Sequence, residues 1–511
     1  MKSRGADVVA QVLARAGTRY VFALSGNHVM PVFDAALDAK LEIVHVRHEA
    51  AAVHMADAWG RLTGEPGIAL VTGGPGHANA VGALYTALAA ESPLVLLSGH
   101  APLAELGKGA FQEMRQAEMA APVAKASWTV RSAGTLGGDI ALAMRMAQTG
   151  CPGPVHVSLP VDLLEAEADA ELPPLQAHEE RVNARTAASD ALLDALARAS
   201  RPLVLAGPRH ARVLGAQFAS RFEQATGIPV IAMESPRGVN DPALGRLAAV
   251  LARADTIVLA GKRLDFMLKF GAAFSRECQI MEMEADFPRW TEAAAQRKWT
   301  HHAWREEVRA ALAWRPPEWA QIGSDNDGPL HPLEAARGAQ PLLDASDAVL
   351  VADGGEFGQW AQATLAAPHR IINGPAGSIG AALPFAAAAK LARPSSNVVA
   401  MLGDGTFGFH AAEIDTAARY ALAYVAVVGN DACWNAERQI QVGTYGAARA
   451  RGCELLPTRY DRVAAGFGAH GEHVASASEL APALERAAHA GRVACVNVAI
   501  ASVPAPVYRA G

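Results

Sequence analysis

The chain has 511 residues, a formal net charge of −6 and 51% hydrophobic residues, which gives about two to four domains with ample apolar content for their cores. Acids and bases are mixed along it without a basic run or a basic-aromatic stripe, which argues against a nucleic-acid partner. The five cysteines (Cys151, Cys278, Cys433, Cys453, Cys495) are scattered, odd in number and without a CxxC, which argues against a disulfide framework or a zinc site and predicts a reducing, cytoplasmic setting.

The opening MKSRGADVVAQVLARAG is charged throughout and predicts an amphipathic helix rather than a signal peptide. Strand-like runs follow at 20–24, 41–46, 67–71, 94–97 and 155–159, alternating with helical segments over a first unit, 1–165. The longest apolar stretch, 84–97, is broken by Glu91, Ser92 and Pro93, so no membrane span is expected. Residues 166–188, acidic and proline-containing, predict a linker. A second unit, 189–320, has strands at 202–206, 229–233 and 256–260. After a break rich in Pro, Gly, Asn and Asp, a third unit, 330–505, has strands at 348–352, 397–402, 424–428 and 497–500. Strands alternating with helices predict an α/β protein of three doubly wound parallel-sheet domains.

Within the third unit, NVVAMLGDGTFGFHAAEIDTAARYALAYVAVVGNDA reads as strand, helix over 410–420, then strand, with polar residues at both strand ends. Asp404 and Asn430 lie 26 positions apart, about what a crossover helix needs to set two strand ends side by side. A carboxylate and an amide oxygen suit a hard cation such as Mg²⁺. The glycines around Asp404 let backbone approach an anion, and Thr406 opens a helix whose free N–H groups attract phosphate. Alone, Gly403-Asp404-Gly405 is an ordinary turn; paired with Gly429-Asn430-Asp431 at this spacing it reads as a Mg²⁺-diphosphate clamp.

This segment resembles the signature of thiamine diphosphate enzymes, a GDG followed some two dozen residues later by an Asn pair; it departs at Gly429 and in a slightly short spacer. The resemblance implies thiamine diphosphate and Mg²⁺ as cofactors. Side-chain oxygens of Asp404 and Asn430 and the main-chain carbonyl of Ala432 would be metal ligands, with Gly403, Gly405 and Thr406 at the diphosphate. Three units in this order resemble the decarboxylase-type fold of pyrimidine-binding, middle and diphosphate-binding domains. In that family the two ends of the cofactor are held by different subunits, so the resemblance implies a homo-oligomer, a dimer at minimum. Relatives hold a flavin or ADP in the middle domain, and no fingerprint here assigns either.

By itself Glu49 is an acid at the start of a helix, where the dipole favours it. RHEAAAVHMADAWGRLTG resembles the segment carrying the glutamate that bonds the aminopyrimidine, and the resemblance gives Glu49 that role. A carboxylate beside that ring nitrogen favours the imino tautomer, the base for the thiazolium proton. VTGGPGHANAVGALYTA resembles a turn that would set Gly74, Pro75 and Asn79 near the pyrimidine. GPAGSIGAALP resembles the segment that bends the cofactor, with Ile379 beneath it and Gly377 and Ser378 beside it. Asp353-Gly354-Gly355-Glu356-Phe357 lies where relatives place diphosphate donors. Glu356 and Phe357 replace donor side chains, which leaves the backbone of Gly354 and Gly355.

LGKGAFQEMRQAEMAAPVAKASW resembles acetolactate synthases and 2-hydroxyacyl-CoA lyases, which makes Gln112 a polar group over the reacting carbon and Phe111 a wall. His28 falls where benzaldehyde lyase has a histidine near that carbon, and imidazole suits proton shuttling near neutrality. The resemblance thus implies an acetolactate synthase-like carboligase or lyase acting on a 2-oxoacid or acyloin. A simple 2-oxoacid decarboxylase and a 2-hydroxyacyl-CoA lyase are the alternatives. GKRLDFMLKFG and TFGFHAAEIDTAARYAL lean to the CoA lyases, and the end soon after NVAIASVPAP leans away from a CoA substrate. Two readings of other classes are a degenerate relative without turnover, permitted by Gly429 and Glu356, and an NAD-binding protein, for which G-x-G-x-x-G is missing after the first strand.

Overall fold

Runs such as Gly67–Val71 (GIALV) and Thr256–Ala260 (TIVLA) are apolar at nearly every position, as strands covered by helices on both faces must be. In the computed structural model, which describes residues 3–168, 186–324 and 328–506, both are fully buried in parallel sheets.

The first sheet holds β1 (Tyr20–Ala23), β2 (Glu42–His45), β3 (Gly67–Val71), β4 (Leu94–His100), β5 (Ala126–Thr129) and β6 (Pro154–Pro160), in the order β2-β1-β3-β4-β6-β5. The middle sheet is β8-β7-β9-β10, from β7 (Pro202–Ala206), β8 (Val230–Ala232), β9 (Thr256–Ala260) and β10 (Gln279–Met283). The third holds β11 (Val349–Ala352), β12 (His369–Ile372), β13 (Val398–Gly403), β14 (Val425–Asn430), β15 (His470–Val474) and β16 (Ala494–Ala499), in the order β12-β11-β13-β14-β16-β15. The first and third sheets therefore share one topology. In each, strand order reverses beside the first strand, and loops after the first and third strands open a crevice there.

Four strands of the three parallel sheets lacked a sequence signal: β5, β10, β12 and β15. Each is a sheet edge with exposed or half-buried positions, so no continuous apolar run marks it. The helix predicted over 410–420 is shorter, Glu413–Arg419, and a separate helical turn, Asp404–Phe407, precedes it. The N-terminal helix Gly5–Arg15 forms as expected. Of the predicted linker, residues 169–185 lie outside the described residues, and a helix runs over Thr186–Arg198. Among the described residues no helix is long and apolar enough to cross a membrane.

Helix α1 (Glu49–Thr63) packs on both its own sheet and the third unit. Its small residues Ala51, Ala52 and Ala56, beside α2 (Pro75–Ala89), share a continuous core with Ala386, Ala387 and Phe385 of α3 (Ala382–Ala392). Small side chains let the two helices approach closely. At the far end of α1, Arg61 donates to both oxygens of Asp57 (2.7 and 2.6 Å) and to the Ile372 carbonyl (2.6 Å), over the Phe385 ring. A cleft of about 1810 Å³ opens beside this end of α1, lined by Arg61, Arg145, Arg209, Arg212, Arg289 and neighbours. It contains none of the predicted site residues.

Candidate active site

In the third sheet, β13 and β14 pair with Gly403 opposite Gly429, so the residues that follow them emerge side by side. They open onto a hollow of about 220 Å³ walled by Gly354, Gly355, Gly377, Ile379, Gly403, Asp404, Gly405 and Thr406, together with Asp431, Glu356 and Arg237. The sequence-predicted diphosphate residues are thus brought together, apart from Ser378. That hydroxyl accepts from Thr86 of α2 at 2.8 Å and faces the first unit instead.

Asp404 is 3% exposed and accepts N–H groups from Gly405 (2.9 Å) and Cys433 (3.2 Å). Burial, then the nearby charge of Asp431, pushes its carboxyl up to about 7. Burial also pushes Asp431 up to about 6, although Ser502 donates to it at 2.9 Å. Two carboxylates with few donors and one hollow between secondary-structure ends fit a hard cation. Asn430 lies beside this wall but not on it. Its amide nitrogen donates to the Thr458 carbonyl (2.9 Å) and to Asn497 (3.1 Å), and its oxygen accepts from the Ala432 N–H (3.2 Å). Ala432 holds φ +53°, unusual without glycine, and its carbonyl accepts from Leu455 N–H at 2.7 Å. Each of these oxygens keeps a second lone pair. Among the described residues no three His, Cys, Asp or Glu side chains cluster as a metal site, and the expected set draws only Asp404 from those types.

The glycine at 429 and the phenylalanine at 357 are one feature. A Cβ at Gly429 would meet the Phe357 ring at 2.5–2.7 Å, so the phenyl ring fills the room that a larger residue at 429 would need. Glu356 is likewise engaged: its carboxylate accepts from Arg237 (3.3 Å) and from the Ala505 N–H (2.8 Å). Behind the wall, Asp353 accepts from Gly354 (2.7 Å), Gly380 (2.9 Å) and Ala382 (3.1 Å) and ties the 354 turn to the 377–382 segment. Burial pushes its carboxyl up to about 6.

The first sheet carries the second group at the equivalent crevice. Glu49 opens α1, is 9% exposed, and accepts from Asn79 at 3.0 Å. Gly74 adopts φ +57° before Pro75 opens α2 and packs on Gln112, whose own φ is +57°. His28 bonds the Thr72 hydroxyl at 3.3 Å and stacks on Phe111 at 6.1 Å. Desolvation first, then His100, lowers its pKa, so the imidazole is neutral at pH 7. None of these residues walls the Asp404 hollow of the same chain. Asp431, Arg237 and Gln116 were not singled out from the sequence. Asp431 stands inside the Gly-Asn-Asp triplet that was read, whereas nothing local marks the other two.

Residues 3–119 match the family model for the thiamine pyrophosphate enzyme N-terminal TPP binding domain, and residues 353–498 match that for the C-terminal TPP binding domain. The chain is also 34% identical to a probable acetolactate synthase of Mycobacterium bovis over 96% of its own length and 94% of the relative's. This chain belongs to the thiamine pyrophosphate enzyme family. Acetolactate synthase large subunit IlvG of Mycobacterium tuberculosis is similar to the same extent. The 2-hydroxyacyl-CoA lyase 2 of Danio rerio is 31% identical over 91% of this chain and 86% of that protein. This thiamine pyrophosphate enzyme is thus of the acetolactate synthase or 2-hydroxyacyl-CoA lyase type, and it acts on C–C bonds. Thiamine pyrophosphate is thiamine diphosphate. Glu49, Gly74 and Asn79 fall in the first matched stretch, and Asp404 and Asn430 in the second.

Proposed function

We propose that this thiamine pyrophosphate enzyme is a Mg²⁺-dependent carboligase or lyase of 2-oxoacids or 2-hydroxy carbonyl compounds, acetolactate synthase-like. The observation that carries the metal is Asp404: a buried carboxylate at a strand end, next to a second acid and short of donors. Asp404, Asn430 and the Ala432 carbonyl would hold Mg²⁺, with the backbone of Gly354, Gly355, Gly405 and Thr406 toward the diphosphate. Ile379, on the wall of the hollow beside Gly377, would lie beneath the bend of the cofactor.

When bound, thiamine diphosphate supplies a carbon nucleophile and an electron sink. The chain's own residues supply the proton handling. Glu49, oriented by Asn79, holds a proton at the pyrimidine nitrogen. His28, neutral at pH 7, takes a proton from or returns one to the substrate's carbinol oxygen. Gln112 orients that oxygen, and Phe111 keeps water from it. Glu49 and the Asp404 hollow belong to separate walls within one chain, so a second copy brings them onto one cofactor in a homodimer or larger assembly. The three domains span 1–165, 189–320 and 330–505, and the scattered cysteines fit a cytoplasmic enzyme.

Chelation followed by re-addition tests this reading. The stripped protein should lose activity on 2-oxoacids such as pyruvate and recover it only with thiamine diphosphate and Mg²⁺ together. Activity indifferent to both, or none on any 2-oxoacid or acyloin, would refute it. The similarity to 2-hydroxyacyl-CoA lyase 2 supports a second reading, cleavage of a 2-hydroxyacyl-CoA, and that substrate belongs in the same assay.

A further inference from the structure

A buried side-chain amide must have both its oxygen and its nitrogen matched, or it costs more than an apolar replacement. Gln116 is 1% exposed and meets that demand fully. Its Oε1 accepts the Gly74 N–H at 2.8 Å. Its Nε2 donates to the Gly99 carbonyl at 3.1 Å and to the Ser158 hydroxyl at 3.0 Å. The orientation admits no flip, because a backbone N–H can only donate and a backbone carbonyl can only accept. One side chain thereby joins the turn after β3, the strand β4 and the strand β6.

Two of those backbones lie against His28 and Gln112. A Cβ on Gly99 would lie 2.5 Å from the Cβ of His28. A Cβ on Gly74 would lie 2.6 Å from the carbonyl oxygen of Gln112, and one on Gly73 would lie 3.1 Å from Gln116 Oε1. His28 and Gln112 are therefore packed without room for a side chain against Gly99 and Gly74, two residues whose backbone Gln116 bonds. We infer that Gln116 is a positioning residue, setting His28, Gln112 and the Gly74–Pro75 turn in one arrangement without touching substrate. This rests on the functional reading above and deepens it.

The parent enzyme is assayed first; if it shows no dependence on thiamine diphosphate, the functional reading falls before any variant is made. Gln116→Leu keeps the volume and leaves the Gly74 N–H and Gly99 carbonyl unpaired. It should lower kcat about 10- to 100-fold at saturating cofactor and substrate, since misplacement of reacting groups by an ångström costs on that order. Gln116→Glu separates positioning from folding. Its protonated carboxyl can accept from Gly74 and donate to Gly99, whereas its carboxylate can only accept, and burial raises the pKa at which one becomes the other. The ratio of its kcat/KM to the parent's should therefore fall at least about tenfold from about pH 5.5 to about pH 8, through a single titration. A Leu variant that folds and keeps kcat within about threefold of the parent would overturn the proposal, as would a Glu-to-parent ratio that does not change with pH. If the Leu variant does not fold, the pH ratio of the Glu variant decides.

Discussion

Replacing Glu49 by Gln isolates the one charge that the proposed chemistry needs. The side chain keeps its size, and its amide oxygen can still accept from Asn79, the 3.0 Å partner of the carboxylate. What is lost structurally is the charge assistance of one hydrogen bond at a 9% exposed position and a favourable helix-start charge, together about 1 kcal/mol. What is lost chemically is the group holding a proton at the pyrimidine, worth about 10²- to 10⁴-fold in rate, or about 2.7–5.5 kcal/mol of barrier. Turnover at saturating thiamine diphosphate and Mg²⁺, measured beside thermal unfolding, separates the two. We expect a small shift in Tm and a fall in kcat of at least about 100-fold. A variant that unfolds earlier yet keeps kcat within about fivefold would mean that Glu49 merely starts its helix, and the proposed role would be wrong.

Gly429→Asn should destabilise the protein by about 1–3 kcal/mol, because its Cβ would enter the Phe357 ring. Adding Phe357→Ala should recover at least half of that loss in thermal unfolding, and strict additivity would show that the two positions do not share the space. Arg61→Ala strands the fully buried Asp57 carboxylate and frees the Ile372 carbonyl, at a cost of about 3–5 kcal/mol in urea unfolding; a change under about 1 kcal/mol would contradict the buried-pair account. Burial holds His77 and His210 down to about 4 and lowers His54 and His156 well below the usual value. An unfolded chain takes up these protons first, so the stability they confer is complete above about pH 6.5 and is lost as pH falls, for His77 and His210 down to about 4 at about 1.4 kcal/mol per pH unit each. The melting temperature should therefore drop between pH 7 and pH 5, and by less in His210→Gln than in the parent. An equal drop in both would remove His210 from the explanation.

Central strands were legible because burial on both faces writes a continuous apolar run, as in β3 and β9. The edge strands β5, β10, β12 and β15 were not, because a half-exposed strand carries mixed residues and gains its shape from its neighbour's hydrogen bonds. The Asp404 hollow was legible in outline, since glycines and an acid at a strand end are a local pattern. Its inner arrangement was not. Asp431 facing the hollow, Asn430 bonded to Thr458 and Asn497, and Ser378 turned toward Thr86 all depend on partners far along the chain.

The amino-acid order by itself determined where backbone is buried, where it must turn, and where acids and glycines meet strand ends, because these follow from local period and composition. Tertiary structure alone decided that Phe357 fills the room beside Gly429 and that Gln116 joins Gly74 to Gly99 and Ser158. The reason is physical: close packing and hydrogen-bond satisfaction are settled between surfaces that meet only after the sheets form, and no stretch of sequence contains both sides of such a contact.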